Sequence, residues 1–325
     1  MHELRFLKFI KSFQNERIYI TLRAMSVKVT NLSKHYGKQK AVDNISFEIS
    51  SGEILGFLGP NGAGKSTTMK MITGFVEADK GQVKVCGIDS LKQNSLAKEK
   101  IGYLPENNPL YYDMYVKEYL SFVANLYKIK NVKVRVAEMI EKTGLQREQH
   151  KKIEQLSKGY KQRVGIAQAL IHNPEVLILD EPTSGLDPNQ LEDIRALIKE
   201  LGKEKTVILS THIMQEVEAI CDRVIIINNG KIVADKKLDH LISADKEQVI
   251  EVEFDFKIEE QAIAKIENIT SYKNTHDMIW ELTFLAEKDM RPAVFDFANA
   301  NGLKILRLNR KNKNLEAVFR EVTKK

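Results

Sequence analysis

Residues 59–66 read Gly59-Pro60-Asn61-Gly62-Ala63-Gly64-Lys65-Ser66, and that octapeptide leaves the chain little choice of fold. The pattern G-x-x-x-x-G-K-[ST] follows a short apolar run at 53–58 and opens a helical segment at 65–74. Glycines let the backbone curl so that several N–H groups point at one anion. The start of the helix adds partial positive charge at the same place. Lys65 is positioned to reach β- and γ-phosphates, and the Ser66 hydroxyl to ligate Mg²⁺. Strand, turn and helix together make a chance glycine turn a poor explanation.

The surrounding pattern is that of an α/β domain. Alternating or continuous apolar runs of strand length fall at 27–30, 44–49, 82–86, 176–179, 207–209 and 224–227. Helical periodicity lies between them at 162–171, 189–201 and 214–220, which predicts a mostly parallel sheet covered on both faces. Asn229-Gly230 between two apolar runs predicts a two-residue hairpin. Residues 115–144 break the rhythm: Val116, Tyr119, Leu120, Val123 and Leu126 repeat at i, i+3, i+4, so a helical lobe is inserted between two strands. After a polar linker near 243–246 a new short strand–helix pattern begins and has the order of a ferredoxin-like α+β unit, closed by an amphipathic helix at 314–322 whose stripe of Leu315, Val318, Phe319 and Val322 is expected to pack on its own sheet or on a partner chain. Three parts are expected: an extension at 1–25, a nucleotide-binding domain at 26–243 and an accessory α+β domain at 244–325. Residues 1–24 mix Phe6, Phe9 and Ile10 with Arg5, Lys8 and Lys11. The lysines interrupt any signal-peptide core, so the segment reads as an extension or upstream start, with Met25 beginning the folded part; an amphipathic surface helix is the alternative.

The apolar run at 176–179 ends in Asp180-Glu181. A buried strand can hold Asp180 against the Mg²⁺ shell and leave Glu181 one residue on, at the strand end where ligands bind. That is where a base for an attacking water belongs.

Leu156-Ser157-Lys158-Gly159-Tyr160-Lys161-Gln162-Arg163 lies just ahead of a predicted helix, Ser157 being 23 residues before Asp180. It resembles the signature motif of ATP-binding cassette (ABC) ATPases, usually L-S-G-G-Q. Ser184-Gly185-Leu186-Asp187 is similar to that family's D-loop, His212 to its switch histidine, and Tyr36 stands where the family stacks an aromatic on adenine. The resemblance covers about 26–235, with the motifs in family order. It implies a P-loop ABC ATPase domain with a mostly parallel sheet, an antiparallel β portion and an inserted helical lobe, followed here by the small α+β domain. It implies ATP and Mg²⁺ as cofactors. ATP would be held by Tyr36, the loop from Gly59 through Pro60, Asn61, Gly62, Ala63, Gly64, Lys65 and Ser66 to Thr67, and by Glu106, Ser157, Gly159 and Asp187. Ser66, Asp180 and Glu106 would meet the metal; Glu181, His212 and Lys65 would be catalytic. Two cassettes would dimerise head to tail, each ATP lying between the loop of one chain and Ser157/Gly159 of the other.

Within the family, residues 101–111 and 113–120 resemble the ATP-binding subunits of ABC-2-type exporters, and among those the gliding-motility-associated subunit of Bacteroidetes. Two departures from the broad pattern stand out: Glu106 replaces the Gln that links metal and water to the lobe, and Lys158 and Tyr160 replace a Gly and the Gln of the signature. The partners implied are a second ATP-binding subunit, identical or a close paralogue, and integral membrane permease subunits, with the chain on the cytoplasmic face of the inner membrane. A net charge of +6 permits an anionic surface or nucleic acid but requires neither, and nucleic acid is not expected. Two rivals are weaker. A soluble ABC ATPase acting on ribosomes usually carries two cassettes, and the motifs occur once. A DNA-repair ATPase carries a long coiled coil between loop and signature, where Lys65 and Ser157 are only 92 residues apart.

Other features read as structural. Cys86 and Cys221 form no metal-ligand spacing and suit packing in a reducing compartment. Tyr103, Tyr111, Tyr112, Tyr115 and Tyr119 crowd the entrance to the lobe, where they could receive a permease helix; Tyr115 and Tyr119 are expected in the lobe core. Lys128, Lys130, Lys133 and Arg135 are expected on a solvated face, as are Arg307, Arg310, Lys311 and Lys313. Trp280 is expected in the accessory core.

Overall fold

The computed structural model describes residues 25–238, 247–286, 288–311 and 319. The readings of 1–24, the linker at 243–246 and the stripe Leu315, Val318 and Val322 lie outside them.

Strands β1 (Met25–Tyr36) and β2 (Gln39–Ser50) pair antiparallel, and β3 (Ile54–Leu58) runs into α1 (Lys65–Ile72). β4 (Lys80–Val85) returns to β1, and β5 (Ile88–Asp89) extends that sheet to the order β2-β1-β4-β5. After α2 (Asn94–Glu99) and β6 (Ile101–Leu104) the chain leaves for the helical lobe, α3 (Val116–Leu126) and α4 (Val132–Lys142). It returns through α5 (Lys158–Leu170) to β7 (Val176–Asp180), then α6 (Pro188–Gly202), β8 (Thr206–Thr211), α7 (Met214–Ile220) and the hairpin β9 (Arg223–Asn228)–β10 (Lys231–Lys237). The second sheet has the order β10-β9-β3-β8-β7-β6 and is parallel except at the hairpin. The hairpin turns on Asn229 and Gly230, both at positive φ (49° and 76°), as a two-residue turn of this hand requires.

The continuous apolar runs are explained by their two faces. On β7, Leu177 and Leu179 enter the core shared with α5, α6 and the lobe, while Val176 and Ile178 enter the core shared with the antiparallel sheet and α1. The period of two divides one run between two cores. A sheet of antiparallel strands therefore covers much of one face of the parallel sheet, where helices are the commoner cover. Cys86 packs at the second core, and Cys221 at the first and beside Gly56. Both are free thiols, pushed up in pKa by burial.

Two expectations about the lobe fail. Tyr115 is the N-cap of α3 and is half exposed, because helix periodicity does not extend to a cap residue outside the helix. Arg135 leaves the solvated face that Lys128, Lys130 and Lys133 keep. Its guanidinium donates to Leu170 O (2.6 Å) and Ile171 O (2.8 Å), satisfying carbonyls at the end of α5. Tyr119 is buried as expected, its hydroxyl donating to Gln168 Oε1 (2.6 Å).

The accessory segment comprises β11 (Glu247–Phe254), α8 (Glu260–Ile263), β12 (Ile269–His276), β13 (Ile279–Leu285), α9 (Arg291–Ala300) and β14 (Ile305–Lys311). Its strands pair antiparallel in the order β12-β13-β11-β14, the ferredoxin-like arrangement, around its own core of Phe254, Trp280, Leu282, Phe284 and Val294. Arg307 reaches Glu251 (3.6 Å) across that sheet. Phe319 is partly buried. It packs against the apolar cluster of Leu58, Val217, Val224, Ile226 and Leu238 in the first domain, a surface that the expected packing on its own sheet or a partner chain did not include.

Lobe and sheet meet at His172, whose Nε2 bonds Ile101 O (3.0 Å) and whose ring stacks on Tyr127 (centroids 4.0 Å apart). Burial lowers its pKa below the usual 6.5. The folded state then resists a proton that the unfolded chain accepts, so stability is full above about pH 6.5 and falls on acidification below it. Thermal melts from pH 7.5 to 5.5 should show a steeper acid loss for the wild type than for His172→Gln; parallel curves would contradict the buried neutral ring.

Candidate nucleotide site

The site forms where β3 ends. Gly59 and Gly64 mark its two ends, and both are glycines for a spatial reason. A Cβ on Gly59 would strike Ile227 O, and one on Gly64, held at φ 110°, would strike Ala41 O. The loop is tied down on the same side: Gly230 N–H donates to Ala63 O (2.9 Å), and Asp43 N–H to Gly230 O (2.9 Å). The β9–β10 hairpin and β2 thus fix the curl of the loop from behind. Lys65 is buried, and its ammonium donates to Gly59 O (2.8 Å) and Pro60 O (3.3 Å), with Glu181 Oε1 3.6 Å away. Thr68 Oγ1 donates to Gly64 O (2.9 Å), closing the first turn of α1.

The parallel register brings the acidic residues alongside. Asp180 pairs with Ser210 across β7 and β8, and its Oδ1 accepts from Ser66 Oγ (3.1 Å) and from Ser210 Oγ. Glu181 sits one residue beyond the strand at φ 50°, a strained value for a residue with a Cβ, and its N–H donates to Ser210 O (3.0 Å). Its Oε2 is held by His212 Nδ1 (2.9 Å). Glu181 itself is buried while His212 is half exposed, so the carboxylate is fixed and the imidazole stands at the rim.

A cleft of about 420 Å³ opens above the loop, lined among others by Tyr36, Asn61, Lys65, Ser66, Glu106 and Glu181. Gly62, Gly64 and Thr67 also line it. Tyr36 stands half exposed at its mouth. The end of β1 that carries it is braced by Asp79, which accepts from Lys34 Nζ (2.9 Å) and His35 N–H (2.6 Å); those bonds hold its carboxyl at about 2. Tyr103 lies below with a raised pKa, caused by burial and by the carboxylates of Asp180 and Glu106.

Ser157, Gly159 and Asp187 do not line this cleft. They meet one another instead, at the N-termini of α5 and α6. Asp187 accepts from Gln190 N–H (2.9 Å), Gln190 Nε2 donates to Ser157 Oγ (3.5 Å), and the Gln190 side chain lies against Gly159. Lys158 rests on Gly185. Sequence reading missed Ser210, Gln39 and Ala41. Ser210 stands two residues before His212, and only the strand register shows that it faces Asp180. A hydroxyl beside a carboxylate gives hard oxygen donors suited to Mg²⁺, and backbone N–H groups with a lysine suit a polyphosphate.

Residues 42–184 match the family model for ABC transporters. Bacitracin transport ATP-binding protein BcrA of Bacillus licheniformis is 36% identical over 299 residues, spanning 90% of this chain and 95% of that protein. Linearmycin resistance ATP-binding protein LnrL of Bacillus subtilis is 36% identical over 304 residues, spanning 90% and 96%. Nod factor export ATP-binding protein I of Rhizobium etli is 32% identical over 319 residues, spanning 95% of each chain. A solved dimeric ATP-binding cassette with ADP and Pi superposes with TM-score 0.60 at 29% identity, over 65% of this chain and 98% of that one. The chain belongs to the ATP-binding subunits of ABC transporters. It binds ATP and is an ATPase.

Gly64→Ala tests the backbone cradle. The added methyl meets Ala41 O at a positive φ, so the loop must open, at a cost of about 1–3 kcal/mol. Denaturant unfolding and nucleotide titration should show loss of both stability and affinity; an Ala variant equal to wild type in both would mean the loop is not fixed from behind.

Proposed function

We propose that this chain energises an ABC-2-type exporter through ATP-driven head-to-tail dimerisation. The observation that carries the reading is the separation of the two motif sets. Lys65, Ser66 and Glu181 share one cleft, while Ser157 and Gly159 sit at a different helix end. One chain thus offers a cleft and, elsewhere, a set of phosphate donors, which two chains can combine into two complete sites. The cassette solved as a dimer with ADP and Pi supports the assembly. Relatives named for bacitracin transport, linearmycin resistance and Nod factor export support the exporter class. The gliding-motility subfamily rests on the resemblance at 101–111 and 113–120 alone.

In this reading Tyr36 stacks on adenine, and Lys65, Thr67 and the loop amides, from Gly59 through Asn61 and Gly62 to Ala63 and Gly64, hold the phosphates. Ser157, Gly159 and Asp187 act on the nucleotide of the partner chain. Ser66, Asp180 and Glu106 would hold Mg²⁺, which would supply charge neutralisation at the phosphates. Glu181 takes the proton of the attacking water, and His212 keeps its carboxylate aimed and meets the γ-phosphate. Among the described residues no helix is long and apolar enough to cross a membrane. In this reading integral membrane permease subunits supply the transport path, and this chain sits peripherally on the cytoplasmic face of the inner membrane. Their docking groove lies between sheet and lobe, where Thr73, Phe75, Ile101, Tyr103, Tyr127 and His172 line an apolar depression and Phe75 is 74% exposed.

Glu181→Gln keeps the fold and removes the base. It should form a long-lived ATP-bound dimer by light scattering, with hydrolysis lowered by at least about 100-fold. Wild-type turnover in this variant would end the base assignment.

The accessory segment at 244–325 is proposed as a regulatory or dimer-supporting domain, and Phe319 is its described point of contact with the nucleotide-binding half. Phe319→Ala should lower stability by about 1–2 kcal/mol, read as a shift in denaturant midpoint with nucleotide affinity retained. An unchanged midpoint would show that this contact contributes nothing to holding the halves together.

A further inference from the structure

We infer that Glu216 is a positioning residue for His212, acting through Thr211; the inference rests on the role proposed for His212. The end of β8 delivers three consecutive residues to three places. Ser210 Oγ donates to Asp180, and His212 Nδ1 meets Glu181 Oε2. Thr211, between them, points the other way, into the base of α7. There its hydroxyl donates to Glu216 Oε2 (2.8 Å) and accepts from Ile213 N–H (3.1 Å). Glu216 N–H in turn donates to Ile213 O (3.2 Å). The residues on either side of His212 are therefore both tied to Glu216: Thr211 directly to its carboxylate, and Ile213 to its backbone N–H and, through the Thr211 hydroxyl, to the same carboxylate.

Thr211 and Glu216 are both fully buried. The second carboxylate oxygen, Oε1, is buried without a hydrogen-bond partner among the described residues. Such a group is costly, and an apolar side chain of similar size would remove the cost without loss of packing. Its place in the first turn of α7 offsets part of the penalty through the helix dipole. That placement does not account for its aim: Oε2 takes the Thr211 hydroxyl, which already carries the Ile213 amide. His212 gains most from this clamp. Its side chain is 44% exposed, so packing does little to fix the ring, and its direction is set by the backbone at 211–213 and by the Glu181 bond. A small rotation there would carry Nδ1 out of reach of Glu181.

The test uses the full-length chain, with ATP turnover, nucleotide affinity and melting measured on each variant. Glu216→Gln keeps a carbonyl acceptor for Thr211 and should turn over within about twofold of wild type. Glu216→Leu and the near-isosteric Thr211→Val remove the clamp from opposite ends, and each should lower kcat at least about tenfold with nucleotide affinity within about twofold. If Glu216→Leu fails to fold, Thr211→Val carries the test. A positioning role must also vanish with its target: in a His212→Ala background Thr211→Val should cause no further loss. Wild-type kcat in Thr211→Val, or an equal further loss in the His212→Ala background, overturns the inference while leaving the histidine's role intact. Wild-type turnover in His212→Ala itself removes that role, and the inference with it.

Discussion

The close approach of backbone to backbone at Gly59 and Gly64 is the constraint on which the site depends. A loop meant to point several amides at one anion has no side chains of its own to hold it in shape. Here the shape is imposed from behind, by Ile227 O, Ala41 O and the Gly230 amide. Those groups belong to a hairpin and a strand far away in sequence. The phosphate cradle is thus as rigid as the junction between the antiparallel and parallel sheets, and not merely as rigid as eight residues.

That junction also explains why the chemistry gathers at one edge. Parallel pairing of β3, β7 and β8 ends three strands within about a residue of one another, so Asp180 lies opposite Ser210, and Leu58, just before Gly59, lies opposite Thr211. Ser66 Oγ then reaches Asp180 from the helix, and His212 reaches Glu181 from the neighbouring strand. Glu181 adopts a positive φ to turn its carboxylate into the cleft, and the bonds to Ser210 O and His212 offset that strain. The rigid half of the site is therefore the carboxylate, whereas the exposed imidazole depends on its backbone for direction.

The two halves of the chain touch where such coupling would matter. Phe319 covers a patch containing Leu58, the residue before Gly59, and Val217, one residue after Glu216. Order in the accessory half is thereby joined to the strand that launches the loop and to the helix that follows the histidine. The lobe is joined differently, by Arg135 on the carbonyls ending α5 and by His172 between Tyr127 and Ile101.

The sequence by itself determined the local units: loop, buried acidic strand, Asn-Gly hairpin, helical lobe and the succession of strands and helices along the accessory unit. Each is written in contiguous residues, through glycine spacing, apolar periodicity or turn chemistry, which act over a few residues and need no partner. The nucleotide contacts proposed for Lys65, Ser66 and Glu181 were legible for the same reason. Tyr115 and Arg135 were misread because a helix period states which side a residue faces, but not where the helix ends or which free carbonyls lie opposite. Only the tertiary structure decided that Ser210 faces Asp180, that Ala41 and Ile227 force the glycines, that Thr211 leans on Glu216, and that Phe319 seats on the first domain. Those are register and packing relations between segments up to about 260 residues apart, and the free energy that selects them comes from burial shared by the segments, which no single stretch of sequence encodes.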